Sequence, residues 1–133
     1  MPMKVLRIAE DWFTPPSEEA QKAADSHYVA AEFLIRPMSL AAQEAHQNCA
    51  GREEIPMGSM VMVALKAGLR GWRNVVDENG TEVKFVGEGT QKEPTDETLE
   101  RLPLGVRMEL WREIKNRSFL TEAQRKNSAS LST

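Results

Sequence analysis

A chain of 133 residues, 41% hydrophobic and 28% charged, has the composition of an ordinary globular domain able to bury its own core. Its net charge of −3 gives no general pull toward nucleic acid or anionic lipid. The single Cys49 excludes an intrachain disulfide. The opening M-P-M-K-V-L-R acquires charge too soon for a signal peptide, and no apolar run approaches the roughly 20 residues of a membrane helix. The expectation is a cytoplasmic protein with no membrane association and a single domain over residues 1–127, followed by a frayed tail, 128–133.

The elements follow from pattern and punctuation. Lys4 to Ala9 alternates weakly and carries Val5 and Ile8, so a strand is expected there, ended by Pro15-Pro16. Ser17 stands as the cap of a short exposed helix through Ala24, with Glu18 and Glu19 in its first turn. Ala31 to Arg36 predicts a second strand with Phe33 and Ile35 on one face and Leu34 on the other. Ser39 caps a helix to about Ala50 whose apolar residues are mostly alanine, and Gly51 stops it.

Pro56 starts the next helix, roughly Met57 to Leu69, which is apolar nearly all round. Such a helix is buried on most sides, by the core or by a partner. Gly68 and Gly71 bracket its exit and Trp72 follows. Asn79-Gly80, between Val75-Val76 and the segment Val83 to Val86, predicts a hairpin turn. Gly87 to Pro94 reads as a mobile loop. Thr95 caps a helical turn carrying Leu99 and Leu102. Pro103 then opens an amphipathic helix with Leu104, Met108 and Trp111 on one line and Val106, Leu110 and Ile114 beside it. Thr121 starts a last turn. The fold class expected is α+β, mainly helical, with four or five helices and two short strand pairs: the N-terminal strands and a hairpin around Asn79-Gly80.

Reactive constellations are sparse. His46 and Cys49, three apart on a helix, could face one metal, but a stable zinc site needs about four ligands. His27 has no visible nucleophile beside it. Asp77, Asn79 and Glu82 begin like a calcium loop, yet Thr81 and Glu88 occupy its fifth and twelfth positions, so a tight turn explains them better. Gly87-Glu88-Gly89 lacks the Lys and Ser/Thr of a phosphate loop. Glu53-Glu54 fits an exposed acidic turn. The basic residues from Arg101 to Lys126 are interleaved with Glu100, Glu109, Glu113 and Glu122, the pattern of a solvated face without base-stacking aromatics. No catalytic, cofactor or metal residues are assigned, and no enzyme is expected.

The order of segments resembles a known group. F-L-I-R-P-M-S at Phe33 to Ser39, G-L-R-G-W-R-N-V-V-D-E-N-G at Gly68 to Gly80, V-K-F at Val83 to Phe85, the T-L-E-R-L and L-W-R-E-I helices and the K-N-S ending resemble the tail assembly chaperones of long-tailed phages and prophages. The resemblance spans about three quarters of the chain. It departs from the group in a longer Gly87 to Pro94 loop. It implies a non-enzymatic protein that coats the tape-measure protein, recruits tail tube subunits and leaves before the tail is finished. It leaves self-association open. On that reading Met57, Met60, Val61 and Trp111 are the candidate partner-binding residues; the rival reading puts all four in the core. The alternative functions are a head–tail connector or minor tail component, and a small regulatory binding protein.

Overall fold

The computed structural model describes residues 10–50, 57–90 and 92–120. In chain order they form β1 (Asp11–Phe13), α1 (Pro16–Ala24), β2 (Glu32–Ile35), α2 (Leu40–Ala50), α3 (Met57–Gly68), β3 (Leu69–Arg73), β4 (Gly87–Glu88), β5 (Glu93–Pro94), α4 (Asp96–Glu100) and α5 (Leu104–Lys115). A π-helical turn, Asn116–Leu120, continues α5. The result is a small α+β domain, mainly helical, with five α-helices and two small antiparallel sheets among the described residues. The strand expected at Lys4–Ala9, the stop at Gly51, the Glu53-Glu54 turn, Pro56, the turn from Thr121 and the tail 128–133 lie outside the described residues.

The larger sheet has the order β1-β2-β3, all antiparallel. Alternation in β2 places Phe33 and Ile35 in the core, both essentially unexposed, and leaves Leu34 half-buried on the other face. Trp12 pairs with Leu34 and so shares that outer face, where Arg73 stacks its guanidinium 4.1 Å from the indole centroid. Arg73 also makes a double hydrogen bond with Glu32, 3.1 Å at each contact.

Between β2 and β3 the register slips: Leu34 pairs with Gly71 but Ile35 with Leu69. The slip leaves Arg70 without a strand partner, as a bulge does. The buried Arg70 guanidinium turns back on the end of α3, donating to the carbonyls of Lys66 at 3.3 Å and Ala67 at 2.8 Å. A cation there satisfies the helix's last carbonyls. Burial, and then the neighbouring Arg36, push the Arg70 guanidinium below its ordinary value.

The core lies between this sheet and the α2, α3 and α5 helices. Leu65, Leu69, Leu99, Leu110 and Ile114 are fully buried together with Phe33 and Ile35. Each such side chain contributes about 1.5–3 kcal/mol by leaving water. Trp72 meets Phe33 and Phe85 edge-on, with ring centroids 6.2 and 5.3 Å away. Its Nε1–H donates to the Val83 carbonyl at 2.7 Å, which ties the Asn79–Gly80 hairpin to the core.

Several details differ from expectation. The strand at Leu69–Arg73 was not anticipated, because the segment follows a helix without a break and becomes a strand only by pairing with β2. The hairpin at Asn79–Gly80 closes through one bridge, Val76 to Glu82, and the Val83 N–H to Val75 carbonyl bond at 2.8 Å. A ladder forms instead in the segment expected to be a mobile loop, where Gly87 pairs with Pro94 and Glu88 with Glu93. Ser17 is not a cap: α1 starts at Pro16, Pro15 holds the cap position, and the Ser17 hydroxyl donates to Glu109. Leu104 is 64% exposed rather than packed with the rest of its helix face. The caps at Ser39 and Thr95 are present, accepting from the N–H groups of Ala42 and Thr98, each at 3.2 Å.

Candidate partner-binding surface

Of the four candidate partner contacts, the structure describes the side chains of Met60, Val61 and Trp111. Val61 on α3 and Trp111 on α5 are buried, at 5% and 6% exposure. Both lie where the rival reading places them, in the core: α3 is packed along α2 and α5, so its inward apolar face is covered within the chain. Met60 is half-buried and packs against the core. The side chain of Met57 lies outside the described residues.

Trp111 has a specific polar partner. Its Nε1–H donates to His46 Nε2 at 2.9 Å, across the contact between α5 and α2. Lys115 Nζ sits 4.2 Å from the centroid of the Trp111 ring, and the Phe119 ring lies 5.5 Å from the His46 ring. Burial, and then Lys115, lower the His46 pKa from its ordinary 6.5. One of the two His46 ring nitrogens, Nε2, is therefore committed to an indole. No group of three His, Cys, Asp or Glu side chains suited to a metal occurs among the described residues.

The apolar groups that do reach solvent lie elsewhere. Leu40, the first residue of α2, is 83% exposed, and Leu104, the first of α5, is 64% exposed. Val29, Val76 and Val86 are more than half exposed, and Trp12 is 42% exposed. Leu104 falls on the apolar face of α5 by its spacing, yet the fold leaves it in solvent. Leu40 follows directly on the Ser39 cap as the first residue of α2, with no preceding turn of its helix beside it.

Two open grooves are lined in part by two of these residues, Val29 in one and Val86 in the other. One, of about 440 Å³, runs beside α1 and is lined by Glu19, Lys22, His27, Tyr28, Val29 and Asn74 among others. Glu18 accepts from Oη of Tyr28, one of the lining residues, and from the Ala31 N–H, each at 2.8 Å. Burial, and then that hydrogen bond, push the Tyr28 phenol up to about 12. His27 is exposed, and Asp25 Oδ1 accepts from its backbone N–H at 3.0 Å. The second groove, of about 810 Å³, lies between Lys66, the β4–β5 hairpin and the start of α4, and presents Glu88, Glu93, Asp96 and Glu97. Lys66 and Asp96 form an ion pair of 2.6 Å at its side. Asp77 Oδ1 accepts from the N–H groups of Asn79 and Thr81, both at 2.9 Å, so this carboxylate closes a turn.

No helix of the described residues is long and apolar enough to cross a membrane. No family model matches the chain, and neither a curated protein nor a solved structure matches it.

Proposed function

We propose that the chain is a non-enzymatic tail assembly chaperone of a long-tailed phage or prophage, holding the tape-measure protein and tail tube subunits in the host cytoplasm during tail assembly. The observation that carries this reading is the run of segments from Phe33 to Ser128 that resembles that group, above all G-L-R-G-W-R-N-V-V-D-E-N-G. The exposed leucines at the first positions of α2 and α5 are compatible with it, since helix-binding proteins present apolar groups to solvent and release them again.

The test begins with the DNA around the reading frame. A tail tube gene upstream and a long helical tape-measure gene downstream supply the partners for co-expression with the tagged chain. The expected result is co-purification, lost in a folded Leu40→Asp/Leu104→Asp variant. Recovery of the chain in purified virions would assign it instead to the connector or a minor tail component. A neighbourhood with no phage genes would remove the proposal.

A further inference from the structure

The junction of α2 with α5 is polar where the rest of the core is apolar. His46 is the one buried side chain of α2 among the described residues. The remaining inward positions, Ala42, Gln43 and Cys49, are only half-buried. Because Nε2 accepts from the Trp111 indole, the neutral imidazole carries its proton on Nδ1. The π-helical turn completes the junction. Ser118 Oγ accepts from the Met38 N–H at 2.8 Å, just ahead of α2, and donates to the Ile114 carbonyl at 2.7 Å. Phe119, next in sequence, packs on the imidazole. Through the π turn these consecutive residues reach Met38, just ahead of α2, and His46 on it, and such turns recur at functional sites.

Arg107 of α5, one turn before Trp111, has a buried Nε without a hydrogen-bond partner among the described residues. Lys115 of α5 acts on the imidazole directly, from over the Trp111 ring. Lys66, the only ionisable residue of α3, is paired with Asp96. Arg117 of the π turn is paired with Glu113 of α5 at 3.0 Å. On α2 itself Glu44 is exposed. No carboxylate is hydrogen-bonded to the ring among the described residues, so nothing compensates a second positive charge beside Lys115.

We propose that the His46–Trp111 hydrogen bond is a proton-operated latch that holds α2 against α5. A proton on Nε2 removes the acceptor and sets two donors against each other beside the Lys115 ammonium. α2 then loses the hydrogen bond of its one buried side chain and is left with its half-buried contacts to α3, while β2, β3, α3 and α5 keep the apolar core. The latch is closed at neutral pH and opens in acid, uncovering the Trp111 indole and the side of α3 that α2 covers. It rests on the α2–α5 geometry, whichever function the chain serves.

The test is amide hydrogen exchange of α2 between pH 7.5 and 5, corrected for the intrinsic pH dependence of exchange. Protection across residues 43–49 should fall by about tenfold or more, the equivalent of one lost hydrogen bond, while the centres of α3 and α5 hold. His46→Gln, whose Oε1 still accepts from the indole but does not titrate, should show no such fall. Equal behaviour of wild type and His46→Gln, or a flat wild-type profile, overturns the latch. If His46→Gln does not fold, ring-nitrogen and indole N–H resonances of the wild type decide. A shared midpoint supports the latch; an indole N–H indifferent to His46 protonation refutes it.

Discussion

Gly68 is held to glycine by a neighbour, and Gly68→Ala should therefore destabilise the protein even though it lies in a helix. A Cβ built there falls 2.6 Å from Ile114 Cγ2, 2.8 Å from Cδ1 and 2.9 Å from Cγ1. Carbon atoms rest at about 3.5–4.0 Å, so Ile114 would have to retreat by close to an ångström. It has nowhere open to go, because its side chain is fully buried in the core. Overpacking of this kind costs about 1–3 kcal/mol, against a gain of at most about 1 kcal/mol from alanine's helix propensity. That gain shrinks at the last residue of α3. A net loss of about 1–2 kcal/mol is expected from these terms, and for 133 residues each kcal/mol lowers Tm by about 3–4 °C. Urea unfolding of Gly68→Ala, Ile114→Ala and the double variant tests the cause as well as the size. Ile114→Ala alone should cost about 2–5 kcal/mol, and the double variant should cost less than the sum by at least about 1 kcal/mol, since the new methyl enters the space vacated. A Gly68→Ala protein as stable as wild type, or additive losses in the double variant, would refute the reasoning.

Three further outcomes are expected. Lys66→Met should cost less than about 1 kcal/mol in a urea melt, and less still in high salt, because the Lys66–Asp96 partners are 37% and 65% exposed; a larger loss would give this pair a role in the fold that its exposure denies. Stability should decline as pH falls below 6.5. The unfolded chain takes up a proton on His46 near that value, whereas the folded chain does so only at lower pH, so the contribution is complete above 6.5 and lost toward the folded value. Urea midpoints compared with those of His46→Gln isolate it from the carboxylates, and identical pH profiles would refute it. Tyr28, the one tyrosine, should titrate at about 12 by absorbance rather than at 10.0. Its stabilising effect is complete below 10.0 and is lost as pH rises toward 12. Glu18→Gln should lower the midpoint only part of the way, since burial is the larger cause; no movement at all would deny the hydrogen bond its part.

What was legible in the sequence is what short-range chemistry decides. The caps at Ser39 and Thr95, the turn at Asn79–Gly80 and the alternation of Phe33, Leu34 and Ile35 each depend on residues within four of one another. What was not legible depends on distant partners. The first turn of α1 is held by Glu109, which accepts from the Ser17 N–H and Oγ–H at 3.0 and 2.7 Å from 92 residues away. β3 exists because β2 pairs with it, and its bulge exists to return Arg70 to the end of α3. The β4–β5 ladder turns on backbone geometry that composition hides: a Cβ at Gly87 would fall 2.6 Å from the Lys92 carbonyl oxygen, and Gly89 and Lys92 both take positive φ. The His46–Trp111 bond joins residues 65 apart, and neither carries a local signal of the other.

The same distinction governs where a partner could bind. An apolar helix reads identically whether its neighbours are supplied by its own chain or by another, which is why α3 was a candidate interface from sequence. In the fold its inward residues Val61, Ala64 and Leu65 are covered, so a charge placed on them would remove stability and binding together and say nothing about contact. Leu40 and Leu104 are different in kind. Each is the first residue of its helix, each stands mostly in solvent, and neither is needed to fill the core. Charge at these positions alters surface chemistry while leaving the packed interior as it is, so any loss of capture from them reports on a partner rather than on the fold.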